Sequence, residues 1–94
     1  MVKLLRASHI KPWRTSSNHE RLDHYNGLLL NPNLDVLFDY GYISFNNEGT
    51  ILISEELQEE EKNILDINEK MALSQIEDNH QEYLEFHRNS IFKR

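Results

Sequence analysis

Side chains that can act on protons, phosphates or metal ions are concentrated between residues 8 and 41. This stretch holds the neighbours Ser8 and His9, Asn26 before a glycine, and Asp35 with Asp39 one helical turn further on. Imidazole exchanges protons near neutral pH, and carboxylates bind hard divalent cations. The chain has no cysteine, so any metal ion must be held by His, Asp, Glu or Asn, and disulfides and thiolate zinc sites are excluded.

The elements that must position these residues follow from the local pattern. Residues 3–10 are predicted to form a strand, residues 14–24 a polar loop, and Leu28–Leu30 a short buried strand after an Asn-Gly turn. An asparagine in Asn31-Pro32-Asn33 is then expected to cap a helix that Gly41 ends. The predicted order is therefore strand, loop, strand and helix.

The second half of the chain predicts a hairpin and two helices. Two short runs rich in β-branched and aromatic residues, 42–45 and 50–53, flank a turn at 46–49, which favours a β-hairpin. Ser54 is expected to cap a helix that runs to about Leu65. Residues 66–78 are ambiguous, and residues 79–92 suit an amphipathic helix.

Three blocks of the sequence together resemble the HNH endonuclease family, in the branch found at the C-terminal end of bacterial restriction-type endonucleases. In chain order they are Ser8-His9-Ile10-Lys11-Pro12-Trp13, Asn26-Gly27-Leu28-Leu29-Leu30 and Leu37-Phe38-Asp39-Tyr40-Gly41. The resemblance covers about residues 4–54. It implies an α+β fold in one domain of residues 1–94, with a ββα-metal (His-Me finger) core over 4–41, a hairpin over 42–53 and a helical part over 54–94.

The resemblance also implies a role for each motif residue. His9 matches the general base that activates the attacking water, and Asn26 matches the residue that holds the second strand against the loop and orients that base. Asp35 stands where the family places its last motif residue, as a ligand for Mg²⁺ or Mn²⁺. The implied function is metal-dependent hydrolysis of DNA by a nuclease domain, or a truncated form, of a restriction-type endonuclease.

Ser8 departs from the many family members that have Asp or His, a metal ligand, immediately before the catalytic His. Three ways of completing the ligand set stay open. His9 binds the ion itself, Ser8 binds it through water, or Asp39 contributes, since it shares a helix face with Asp35. The loop residues His19 and His24 are weaker candidates for ligands or phosphate contacts.

Charge is unevenly distributed along a chain whose net charge is −6. The first 21 residues are basic, and Lys11, Arg14 and Arg21 are the predicted phosphate contacts. Residues 54–86 are strongly acidic and are interpreted as a solvated helical face. DNA is therefore the expected partner, and homodimerisation is a further option, because a small core gains from a shared interface.

The expected location is the cytoplasm. No apolar run is longer than that of Leu28–Leu30, which excludes a membrane span by hydropathy, and the first six residues lack the apolar region of a signal peptide.

Two other functions remain open at this stage. Ser8 and the net acidity favour a catalytically degenerate HNH-like module that binds DNA or a protein partner. The acidic segment alone would suit a protein-interaction domain. For the remaining aromatic and histidine side chains, we expect Trp13 to lie in the core or as a lid over the motif, and His80 and His87 to lie on a helix surface.

Overall fold

The computed structural model describes residues 6–73 and 76–93, and of Arg6 only the backbone. Within these residues the fold is α+β, with four helices and two small antiparallel sheets. The elements are β1 (Arg6–His9), α1 (Asn18–Leu22), β2 (Gly27–Leu30), α2 (Pro32–Asp39), β3 (Ile43–Phe45), β4 (Ile51–Ile53), α3 (Glu59–Leu65) and α4 (Gln81–Ser90). No helix in the described part of the chain has the length and apolar character needed to cross a membrane.

Strands β1 and β2 pair antiparallel, with Ser8 opposite Leu28 and His9 opposite Gly27. Side chains alternate between the two faces of a strand, so Ser8 and Leu28 are buried on the side where α2 packs, whereas His9 is exposed. Leu29 is 67% exposed, so the prediction that Leu28–Leu30 is buried throughout was wrong. Of the strand predicted over 3–10, residues 3–5 lie outside the described residues.

The predicted loop over 14–24 contains helix α1, which corrects that expectation. Ser17 Oγ accepts a hydrogen bond from the Glu20 amide at 3.1 Å, and Glu20 Oε1 accepts one from the Ser17 amide at 2.8 Å. This reciprocal pair satisfies backbone donors that the first helical turn leaves open. Short 3₁₀ turns at Trp13–Thr15 and His24–Asn26 flank the helix on either side.

Helix α2 begins and ends as the sequence predicted. Asn31 is its N-cap and accepts a hydrogen bond from the Leu34 amide at 2.9 Å, while Pro32 fills the first helical position. Gly41 follows the helix with φ +82°, a conformation that favours glycine. A β-carbon at Gly41 would also meet the Ile91 carbonyl oxygen at 2.1 Å, so the C-terminal residues pack where only glycine fits.

The hairpin forms as predicted, with Ile43 opposite Ile53 and Phe45 opposite Ile51. The next helix starts later than predicted. Ser54 Oγ accepts from the Glu56 amide within a turn, and α3 begins only at Glu59, so Ser54 is not its N-cap.

His87 on α4 is buried, which contradicts its expected place on a helix surface. It is 1% exposed, and its ring stacks on Phe38 at a centroid distance of 3.8 Å. Its Nε2–H donates to the Phe38 carbonyl oxygen at 2.7 Å, and its Nδ1 lies 2.8 Å from Ser44 Oγ. His80 is partly buried and lies in the 3₁₀ turn before α4, with its Nδ1 accepting from the Glu77 amide.

Candidate active site

A cleft of about 610 Å³ lies between the end of β1, the turn that follows it and α2. Strand β1 contributes His9 and Ser8, and α2 contributes Asp35 and Asp39. The full lining is Ala7, Ser8, His9, Pro12, Trp13, Arg14, Thr15, Asp35 and Asp39. The fold therefore brings together residues that are far apart in the sequence, including the main predicted metal ligands Ser8, Asp35 and Asp39 and the predicted general base.

His9 presents an exposed ring to this cleft from the last position of β1. Its ring stands edge-on to Trp13, with centroids 5.5 Å apart and planes at 74°. Among the described residues, none forms a hydrogen bond with the His9 ring. An imidazole in this position can take a proton from a water molecule in the cleft.

Asp35 and Asp39 lie one helical turn apart on the face of α2 that borders the cleft. Asp35 is half-buried and lies in the first turn of α2, where the positive end of the helix dipole stabilises a carboxylate. Asp39 is exposed. Ser8 is 5% exposed and reaches the same cleft from the buried face of β1. The two α2 carboxylates, the β1 hydroxyl and the imidazole thus border the same cleft.

The cleft contains donor atoms that suit a hard cation. The described residues do not form a complete set of protein ligands around one point. Carboxylate and hydroxyl oxygens suit Mg²⁺ or Mn²⁺, and imidazole is a common further ligand. Within residues 6–73 and 76–93, however, no three His, Asp or Glu side chains are grouped closely enough to hold one ion. Ions of this kind keep several water or phosphate ligands, so two protein carboxylates form a chemically reasonable set.

Asn26 lies outside the cleft lining and is fully buried. Its Oδ1 accepts a hydrogen bond from the Lys11 amide at 2.7 Å, and its Nδ2 donates to the Glu20 carbonyl at 3.1 Å. Both bonds reach into the segment between the two strands. Asn26 therefore ties β2 to the chain that leaves His9.

The three predicted phosphate contacts occupy different places. Arg14 lines the cleft. Arg21 lies beside it, with its guanidinium 4.6 Å from the Trp13 ring centroid and its Nε donating to the Trp13 carbonyl at 3.0 Å. Lys11 points away, because its Nζ bonds to Glu20 Oε2 at 2.9 Å and lies over the Phe86 ring. Of the three predicted phosphate contacts, the two arginines thus lie at or beside the cleft and Lys11 does not.

Glu20 has a defined partner on each side of its carboxylate. The bond from the Ser17 amide and then the Lys11 ammonium hold the pKa of Glu20 below its usual range. The pair keeps Lys11 in place through a charge-assisted bond on the side of the loop away from the cleft.

Trp13, which we expected to lie in the core or as a lid over the motif, is a cleft residue. Its side chain is 55% exposed, so it does not belong to the core. The sequence block that contains His9 also contains Trp13, but only the 3₁₀ turn at Trp13–Thr15 brings the indole back beside the imidazole. The alternative candidates His19 and His24 are not part of the cleft lining.

Comparison with known proteins agrees with the sequence resemblance. Residues 1–46 match the family model described as HNH endonuclease, a span that includes β1, β2, α2 and all of the cleft lining. No curated protein matches the chain.

Proposed function

We propose that this chain, whose residues 1–46 belong to the HNH endonuclease family, is a metal-dependent nuclease that hydrolyses phosphodiester bonds in DNA. HNH nucleases act on DNA and generally use a divalent metal ion. The observation that supports the proposal most strongly is the shared cleft, where His9 of β1 and Asp35 of α2 border the same space.

In the proposed reaction His9 is the general base. It takes a proton from a water molecule, the water oxygen forms a new bond to phosphorus, and the P–O ester bond to the leaving oxygen breaks. Asp35 and Asp39 would hold Mg²⁺ or Mn²⁺, with Ser8 as a further ligand through water. The ion, when bound, would offset negative charge on the phosphate and on the leaving oxygen.

The remaining predicted residues orient this arrangement. Arg14 would contact a phosphate of the bound strand from the cleft wall. Asn26 would keep the segment after β1 in place, and with it the position of His9. The proposal treats residues 1–94 as one domain, with the core at 4–41 acting as a ββα-metal unit, because α4 bonds to α2 and β3 through His87.

Plasmid nicking by a His9→Ala variant tests this function. With Mg²⁺ or Mn²⁺ present, we expect the variant to lose at least about 10²-fold in nicking rate, since general-base catalysis contributes about 10²–10⁴-fold. His19→Ala is the matched control, because His19 is exposed and lies outside the cleft lining. Circular dichroism should be the same for all three proteins. Equal nicking by wild type and His9→Ala would contradict the proposal.

The second candidate function is a catalytically degenerate module that binds DNA or a protein. Two observations favour it: Ser8 replaces the ligand that many family members have, and no three-ligand group exists among the described residues. Calorimetry with Mg²⁺, Mn²⁺, Ni²⁺ and Zn²⁺ separates the two candidates. A chain that binds DNA but none of these ions would be such a module, whereas saturable binding of Mg²⁺ or Mn²⁺ would favour the nuclease.

A further inference from the structure

We infer that Trp13 forms a stacking subsite for an unpaired DNA base next to the cleft, so that the strand bound there is locally single-stranded. The inference rests on the proposed function insofar as DNA is the ligand, and it adds the state of the DNA that the site prefers.

The position of Trp13 carries the argument. The indole lines the cleft and is 55% exposed, although a large aromatic ring of this kind gains free energy from burial. It lies 5.5 Å from the His9 ring, so a base stacked on it would be next to the phosphate that His9 serves. Nucleic-acid bases stack on exposed aromatic rings regardless of sequence, since every base has a π-face.

Arg21 restrains the position of Trp13. Its guanidinium lies 4.6 Å from the Trp13 ring centroid, and its Nε donates to the Trp13 carbonyl oxygen at 3.0 Å. These two contacts restrain both the side chain and the backbone of Trp13. A pre-positioned ring loses little conformational freedom when a base binds, which favours binding.

The described charges around the cleft are of both signs. Among the described residues, Arg14 and Arg21 are the cations near it, and Asp35 and Asp39 lie in the same cleft. Lys11 is engaged by Glu20 on another side of the loop.

The tryptophan itself reports the proposed contact, because Trp13 is the single tryptophan of the chain. Its fluorescence is titrated in EDTA with an oligothymidylate of about twelve nucleotides, a length within the usual site sizes of single-strand binders. A hairpin duplex of the same length is titrated in parallel. We expect saturable quenching by the single strand and little by the duplex, whose bases are already stacked. Equal quenching by the two, or none by the single strand, would overturn the inference.

Variants test whether the ring supplies affinity. Binding of labelled oligothymidylate, followed by anisotropy, should weaken roughly 5- to 150-fold in Trp13→Leu, the range for loss of one stacked base, and Trp13→Phe should recover most of it. The matched control is Tyr40→Leu, which removes another exposed aromatic ring, 63% exposed and outside the cleft lining. Unchanged affinity in Trp13→Leu would overturn the inference.

These measurements do not depend on hydrolysis, so they can contradict the stacking subsite without contradicting the nuclease reaction, and the reverse. Quenching by single-stranded DNA in a protein that never nicks DNA would support the subsite and contradict the nuclease. Nicking without any quenching would support the nuclease and contradict the subsite.

Discussion

Asn26 shows how a motif residue acts without touching the cleft. It is fully buried, and its amide group uses one acceptor and one donor on backbone groups of Lys11 and Glu20. The carboxamide of asparagine carries an acceptor oxygen and a donor nitrogen on separate atoms, so it can bond to both backbone groups. The two bonds therefore hold the chain immediately after His9, and the role of Asn26 in orienting that side chain stays a prediction.

Replacing Asn26 with alanine should destabilise the fold by about 2–4 kcal/mol, because two hydrogen bonds are lost and their backbone partners are left unpaired. Urea unfolding of Asn26→Ala measures this change. Asn33→Ala, at an exposed position of α2, is the control and should stay within about 0.5 kcal/mol of wild type. If both variants unfolded at the same urea concentration as wild type, the proposed role of Asn26 would be wrong.

At the level of single residues, the sequence predicted which residue types lie near the site better than it predicted where their side chains point. The block from Ser8 to Trp13 predicted which residue types meet near the site, and the cleft lining contains several of them. It could not indicate that Lys11 points to Glu20 and Phe86 while Trp13 turns back to His9. Those directions depend on contacts with α1 and α4, which are made only in the folded chain.

Helix α2 carries the candidate carboxylates, and helix α4 holds it in place. His87 of α4 stacks on Phe38 of α2 and donates to its carbonyl oxygen, while Ser44 of β3 lies 2.8 Å from the other ring nitrogen. Since Nε2 must carry a hydrogen to bond a carbonyl, the neutral ring accepts at Nδ1 from the Ser44 hydroxyl. Phe38 lies between Asp35 and Asp39 in the sequence, so this contact fixes the part of α2 that borders the cleft.

The buried histidine predicts a specific loss of stability in acid. Burial, with a smaller contribution from Arg88 and against the bond to Phe38, lowers the pKa of His87 to about 4 from 6.5. Between about pH 4 and pH 6.5, the unfolded chain therefore carries a proton on the His87 ring that the folded chain does not carry. The stabilisation is present in full above about pH 6.5 and is lost as the pH falls to about 4, by about 3 kcal/mol.

Unfolding free energies of wild type and His87→Gln, measured between pH 7 and pH 4, test this expectation. The glutamine cannot titrate, so the difference between the two proteins should shrink by about 3 kcal/mol as the pH falls. Asn33→Gln, at an exposed position of α2, is the control: it changes no titratable group, so its curve should run parallel to that of wild type. A His87→Gln curve that is also parallel to wild type would show that His87 does not titrate as proposed.

The helices that the sequence predicted well are those with strong local signals. Asn31-Pro32 and Gly41 mark both ends of α2, and the structure confirms them. Ser17 and Glu20 form a capping box whose spacing was readable from the sequence, yet the polar composition around it favoured a loop. Ser54 has the residue type of an N-cap but serves a turn, since its backbone amide bonds to the Tyr42 carbonyl. A tertiary contact decided the case of Ser54, whereas α1 had a local signal that its polar composition obscured.

On the scale of the whole molecule, the charges separate the candidate site from the acidic segment. Arg14 and Arg21 lie at or beside the cleft, whereas residues 54–86 carry eleven acidic side chains against two lysines. Metal ions are attracted to acidic surfaces as well as to specific sites, so binding alone does not locate an ion. The position of a bound ion therefore distinguishes a catalytic cleft from a merely acidic protein.

Anomalous diffraction from a crystal soaked in Mn²⁺ locates that ion directly. The account predicts a peak in the cleft, with a carboxylate oxygen of Asp35 among its ligands and His9 or Asp39 facing it, and predicts that the peak disappears in Asp35→Asn. Ions found only along residues 54–86, or an empty cleft at saturating Mn²⁺, would contradict the claim that His9 and Asp35 frame a metal-dependent active site.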